Sequence, residues 1–219
     1  MTVDTAQLNA VITAVKGIPE ENFAAYRGGY PDEIGSALVD AVFSIRARYH
    51  SKTPGRGVLN RVQNFRAAHP DATNDLSALI ALGSAPIEEV MGSTVTGGRP
   101  KAIAVIDAAE KYIDAKVKTA EDLRGLDGME AKKIYTSVKG LGPVTFEYFR
   151  MLLGIPGVKT DVMIKRFVTK ALDAAGLDDV STATAGQLIR EAHKVAGRKE
   201  SLTHFDHAIW LSESRPSDD

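Results

Sequence analysis

Apolar residues recur at intervals of three and four along almost the whole chain, and alternating strand-like runs are nearly absent. Pro31 and Asp32 open a helix whose apolar stripe is Ile34, Ala37, Leu38, Ala41, Val42 and Ile45, with Arg46 and Arg48 on its other side. "KTPGRG" ends it, and "VLNRVQNFRAA" resumes on Val58, Val62 and Phe65. Short helices are expected over 75–82 and 86–91. A "GSTVTGGRP" loop leads to a longer helix from Pro100 to about Ala115, with Ile103, Ile106, Ala109, Tyr112 and Ile113 inward. "TAED" reads as a capping box in which Thr119 closes on Asp122. "GMEAKKIYTSVKGLGPVTFEYFRMLLG" then predicts two helices joined by a turn at Lys139–Gly142, the second starting at Pro143. Another helix runs from about Asp161 to Ala175 on Val162, Met163, Phe167, Val168 and Ala171, and two more lie near 184–196 and 204–212. The pattern predicts an all-α fold, two closely packed helical lobes read as a single domain over 1–219. The helical hairpin spans about 129–153, and a frayed acidic tail is expected from about residue 213.

A chain of 219 residues with 44% apolar composition can bury a substantial core. With no cysteine, disulfides, thiolate-bound zinc, iron–sulfur clusters and a thiol nucleophile are excluded. No apolar run approaches membrane-spanning length and the N-terminus carries no signal-peptide pattern, so a cytoplasmic protein without a membrane partner is expected. The net charge of −1 hides an asymmetry. Residues 41–70 hold six Lys/Arg and no acid, and residues 131–170 hold eight against Glu147 and Asp161, so each block carries +6. Such blocks can present a basic face on a nearly neutral protein; two solvated helix surfaces are the alternative.

The chemistry concentrates between Lys139 and Val168. Gly140 and Gly142 flank Leu141 in a turn that glycine allows to be tight, with Leu141 directed into the core. The amides that open the following helix favour an anion, a phosphate above all; an ordinary helix connection is the other reading of the same turn. Downstream, "GIPGVKTDVMIKRF" places Asp161 at a helix start. An N-cap there contributes about 1 kcal/mol, and a carboxylate in that position can also stabilise positive charge on a nearby group.

A Gly-Leu-Gly turn, an apolar helix, a Gly-x-Pro loop and then "TDVMIKRFV" resemble the helix–hairpin–helix DNA glycosylase superfamily, which includes the endonuclease-III-like enzymes. "EIGSALVDAVFSIRARYH", "RPKAIAVIDAAEKYI" and "SLTHFDHAIW" are similar to its early core helix, its pre-hairpin helix and its closing helix, so the resemblance spans roughly residues 30–212. It implies that double-stranded DNA is the partner, held by hairpin amides of Gly140, Gly142 and Val144, with a base flipped into a pocket between the lobes. Lys139, Leu141, Thr145 and Lys165 join this DNA-binding set, and Arg46 would fill the gap left by the base. Asp161 would be catalytic, stabilising the sugar cation and orienting water. Val144 stands where strand-cleaving relatives carry a catalytic lysine, which implies a monofunctional base excision repair enzyme without lyase activity. Thr160 and Met163 stand where Val and His are frequent in the family.

Tyr26, Tyr30 and Trp210 are further candidates for stacking on a base or, alternatively, for core packing. His204 and His207 bracket Asp206, but their spacing gives no i, i+4 histidine pair and no acid or histidine partner is evident elsewhere, so no metal site is expected; nor is any cofactor. Glu147 either approaches the pocket or pairs with a neighbouring Lys. A monomer is expected. Two other functions remain compatible with the residues: a DNA-binding helix–hairpin–helix protein without chemistry, and a nucleosidase acting on a small modified nucleoside.

Overall fold

The structure is a computed structural model that describes residues 3–24, 26 and 28–214. Residues 215–219 of the expected tail lie outside it. The described residues form thirteen helices. They are α1 (Thr5–Val15), α2 (Glu20–Ala24), α3 (Ile34–Phe43), α4 (Val58–Ala68), α5 (Leu76–Leu82), α6 (Ser84–Met91), α7 (Lys101–Asp114), α8 (Ala120–Gly125), α9 (Gly128–Thr136), α10 (Pro143–Leu152), α11 (Val162–Ala174), α12 (Thr182–Ala196) and α13 (Leu202–Glu213). The only sheet among them is an antiparallel ribbon, β1 (Val95–Thr96) and β2 (Arg99–Pro100), between α6 and α7. The fold is all-α.

The chain divides into two compact units. One is continuous, Gly28–Ile155, and contains α3 to α10; the other joins both chain ends, α1 and α2 with α11 to α13. Each has its own apolar core. In the continuous unit α3 is buried on every side, as a helix with apolar residues all round must be, and Phe65, Tyr112, Tyr135, Phe146 and Phe149 fill the space around it. In the terminal unit Val11 and Phe23 meet Ile164, Val168, Leu188, Ile189, Phe205 and Ile209.

The helical period is sound but its phase fails in two places. On α7 the inward positions are Lys101, Ala102, Ala104, Val105, Ala108, Ala109 and Tyr112, while Ile103 is 41% exposed. On α11 they are Ile164, Phe167, Val168, Ala171 and Leu172, and Val162 is 76% exposed. A loop was expected where the ribbon stands; Gly97 and Gly98, both at positive φ, make its two-residue turn. The Thr119–Asp122 capping box is formed as expected.

α3 also holds a polar hub. The Asp40 carboxylate, fully buried, accepts hydroxyl donors from Tyr30 (3.0 Å), Tyr49 (2.9 Å), Ser44 (2.9 Å) and Tyr148 (3.2 Å). Burial pushes its pKa up, opposed by those four donors. Tyr30, a candidate for stacking, is committed to this hub and 8% exposed.

Candidate functional site

The hairpin forms as the glycine spacing requires. After α9 ends at Thr136, Val138 and Leu141 are buried and the Leu141 amide donates to the Val138 carbonyl at 3.1 Å. At the start of α10 the Thr145 hydroxyl accepts the Gly142 N–H at 3.1 Å and donates to the Gly142 carbonyl at 2.9 Å. The Gly142 amide is therefore satisfied internally, while those of Gly140 and Val144 meet no acceptor among the described residues. Pro143 has no N–H to satisfy, so the first turn of α10 presents its free donors with little competition.

The ribbon supports this turn from the side. Thr96 Oγ1 donates to the Gly140 carbonyl at 2.7 Å. Gly140 has φ +93°, and a Cβ there would lie 2.8 Å from the Thr96 carbonyl carbon and 2.9 Å from the Gly97 nitrogen. A Cβ on Gly97 would meet Gly140 Cα at 2.8 Å. The two turns touch backbone to backbone, which only glycine permits. Nothing in the "GSTVTGGRP" segment pointed to this contact except its paired glycines.

Arg46 does not sit on the side of a helix. α3 ends at Phe43, and Arg46 lies two residues past the Ser44 cap in the left-handed region at φ +51°, fully outside the core. The cause is Lys101, from the first turn of α7. Its Nζ donates to the carbonyls of Phe43 (3.0 Å) and Ile45 (2.7 Å), taking two of the acceptors that a longer helix would have used. Lys101 is only 2% exposed, and desolvation lowers its pKa. A non-glycine residue held at positive φ stores strain of order 1 kcal/mol, and such residues cluster at functional sites.

Asp161 is the N-cap of α11. Its Oδ1 accepts from the amides of Met163 (2.8 Å) and Ile164 (3.3 Å), and Oδ2 lies 3.8 Å from Lys159 Nζ. The side chain is 19% exposed. Behind it, on α13, lies Asp206, 6% exposed, whose Oδ1 accepts the Lys159 amide at 3.0 Å. Burial, and then the charge of Asp161, push the Asp206 carboxyl well above the ordinary carboxylate range; Lys159 and Arg190 oppose them. In the sequence Asp206 stands out only as the residue between two histidines. The missed signal was helical phase, since it falls three residues before buried Ile209.

The basic blocks are partly neutralised by acids remote in sequence. Lys165 binds Asp179 and Thr169, and Arg166 and Lys170 share the buried Glu213. Arg66 binds Glu33; within its own block Arg150 pairs with Glu147, three residues before it, at 3.9 Å, and Arg61 caps the Met91 carbonyl at 2.6 Å. A phosphate at Lys165 would have to displace Asp179. Lys132, Lys133 and Lys139, on or beside the hairpin, are exposed and form no ion pair among the described residues.

In the terminal unit, Tyr26 packs against His204 and His207 at ring separations of 5.2 and 5.3 Å, and His207 stacks on Trp210 at 5.7 Å. Two of the proposed stacking residues, Tyr26 just after α2 and Trp210 on α13, thus belong to one half-buried aromatic group. Among the described residues no helix is long and apolar enough to cross a membrane.

The chain belongs to the family described as Domain of unknown function (DUF8548), which it matches over residues 6–214. No curated protein matches it. Its fold is glycosylase-like. Schizosaccharomyces pombe 3-methyladenine DNA glycosylase (Mag1), solved in complex with abasic DNA, superposes with a TM-score of 0.57 at 15% identity, over 94% of this chain and 99% of Mag1. MBOgg1, solved with a low-affinity DNA ligand, superposes with a TM-score of 0.55 at 14% identity, over 83% of this chain. The match spans 61% of MBOgg1's length.

Proposed function

We propose that this protein is a monofunctional DNA glycosylase that hydrolyses the N-glycosidic bond of a damaged, mispaired or modified base in double-stranded DNA. The observation that carries the reading is Asp161 at the head of α11, with Oδ1 engaged by two amides and Oδ2 in only a loose ion pair, on a fold shared with Mag1. The free amides of Gly140 and Val144, beside exposed Lys132, Lys133 and Lys139, supply donors and charge for a DNA phosphate. Exposed Arg46, on its strained turn, takes the place of the flipped base.

In the reaction the C1′–N bond breaks with its electron pair leaving on the base, and the sugar becomes an oxocarbenium-like cation. The Asp161 carboxylate stabilises that cation and orients a water, which adds to C1′ and loses a proton, balancing the one that the departing base takes up. Val144, at the second position of α10 and 36% exposed, offers no amine for a Schiff base. Base release should leave an intact strand with an abasic site.

The test is base release from duplexes each carrying one lesion, by wild type and Asp161→Asn, with products read before and after hot alkali. Wild type should release one class of base, with breaks only after alkali, and the variant should be slower by at least about 10²-fold. DNA binding by both proteins with no base released from any duplex would leave a binding protein instead. Strand breaks without alkali would refute the monofunctional assignment.

A further inference from the structure

The short segment that carries Asp161 has no regular structure from Gly157 to Thr160, yet it must present a carboxylate to better than an ångström for the chemistry above. Its backbone is held from α13 at two points. The Gly157 amide donates to Thr203 Oγ1 at 3.3 Å, and the Lys159 amide donates to Asp206 Oδ1 at 3.0 Å. On the other side α12 carries Gly186, where an added Cβ would lie 2.5 Å from Thr160 Oγ1 and 3.3 Å from the Arg190 guanidinium. Thr160 is therefore seated in a notch of α12, one residue before Asp161.

We propose that Asp206 is a positioning residue for Asp161: from the buried face of α13 it fixes the Lys159 amide, and with Thr203 it sets where the Asp161 carboxylate stands at the head of α11. This rests on the glycosylase reading above for its catalytic consequence, but the geometry it describes exists without it. Asp206 is nearly inaccessible and accepts the Lys159 amide two residues before Asp161, so losing that acceptor would strand the amide beside the carboxylate. Asparagine keeps the acceptor, whereas alanine removes it.

The experiment uses the full chain, with Asp206→Ala, Asp206→Asn and Thr203→Val. Amide hydrogen exchange at Met163 and Ile164, the two groups capped by Asp161, reads its placement without reference to chemistry. Asp206→Ala should speed exchange at both amides by about 10-fold or more while Leu188 and Ile189 in the core of α12 are unaffected, and Asp206→Asn should restore most of the protection. Thr203→Val should act in the same direction and more weakly; it decides the matter if Asp206→Ala fails to fold. On the duplex that wild type cleaves at the glycosidic bond, Asp206→Ala should lower kcat by about 10²-fold with DNA affinity within about threefold of wild type. Unchanged exchange at Met163 and Ile164 in both Asp206→Ala and Thr203→Val overturns the proposal, as does an Asp206→Asn variant as unprotected as the alanine. If wild type releases no base, the glycosylase reading fails while the exchange results still decide the positioning role.

Discussion

In the continuous unit, the backbone beside Arg46 is held by a buried cation; in the terminal unit, the backbone beside Asp161 is held by a buried carboxyl group. Lys101 donates to two carbonyls at the end of α3, and Asp206 accepts one amide just ahead of α11. Each holder comes from a distant part of the sequence, 58 residues after Phe43 in one case and 47 after Lys159 in the other. Each has its pKa moved by burial toward the neutral form, down for Lys101 and up for Asp206. The chemistry of the holder follows the chemistry of the helix end it serves: carbonyls at a C-terminus call for a donor, and an amide before an N-terminus calls for an acceptor. The difference lies in the neighbours. Lys101 faces two carbonyl oxygens, which favour its cation, whereas Asp206 lies near the like charge of Asp161.

That difference predicts that Lys101 is the more important for stability. Lys101→Ala strands the Phe43 and Ile45 carbonyls and leaves a gap beneath the turn, so unfolding free energy should fall by about 2–4 kcal/mol, read as a lower denaturation midpoint at unchanged slope. Lys101→Met, which keeps the stem and removes the charge, should lose less. A loss below about 0.5 kcal/mol for the alanine would mean that the two holders are not comparable and that the α3 turn is fixed by its own sequence.

The Asp206 carboxyl sharpens the comparison through pH. Its pKa in the folded protein is raised well above the ordinary 3.8. A raised carboxyl contributes no penalty below the unfolded value, where both states carry the proton, and costs stability progressively as pH rises toward the folded pKa. The charged groups around it are Lys159 and Asp161 ahead of α11 and Arg190 on α12, and the titratable His204 and His207 share its helix. Arg166 and Lys170 on α11 are engaged by Glu213, and Glu20 on α2 by Arg198. Asp206→Asn should match wild type in Tm near pH 4 and exceed it increasingly toward neutral pH. A wild-type advantage that grows with pH would reverse the sign and exclude a buried neutral acid.

Most of the helices were legible because their burial has a period, and the Thr119–Asp122 cap and the Gly-Leu-Gly turn because they are local devices. The end of α3 was not, since Lys101 sets it from another helix and a one-dimensional stripe running on to Ile45 cannot register that. Ile103 and Val162 are apolar residues off the buried phase, and counting them inward rotates each helix away from its true face. The ribbon was missed because two-residue strands have no period, although its glycine pair is a hairpin signal. Around the candidate site the sequence located Asp161 at a helix start but gave Asp206 no role, because a buried acid looks like any other acid until its helix is phased against Phe205 and Ile209. The basic blocks misled in the opposite way, for Glu33, Asp179 and Glu213 reach their cations only through the fold.

The smallest expected effect falls on the residue that follows the Ile45 carbonyl held by Lys101. Arg46 at φ +51° is strained, and glycine adopts that conformation without the cost of a Cβ. Against this, glycine loses more backbone freedom on folding, by roughly 0.5–1 kcal/mol. The two terms leave Arg46→Gly between neutral and about 1 kcal/mol more stable than wild type, a shift of a few degrees in Tm at most for a chain of this size. An alanine in the same place keeps the strain and loses only the guanidinium, so the glycine–alanine difference isolates the backbone term from the side chain. If Arg46 fills the space of a flipped base, both variants should weaken binding to a lesion duplex equally while only the glycine gains stability. The opposite pattern, with alanine and glycine equal in stability and both binding as wild type does, would make the left-handed turn an incidental consequence of how Lys101 ends α3, and the comparison between the two held segments would then concern folding alone.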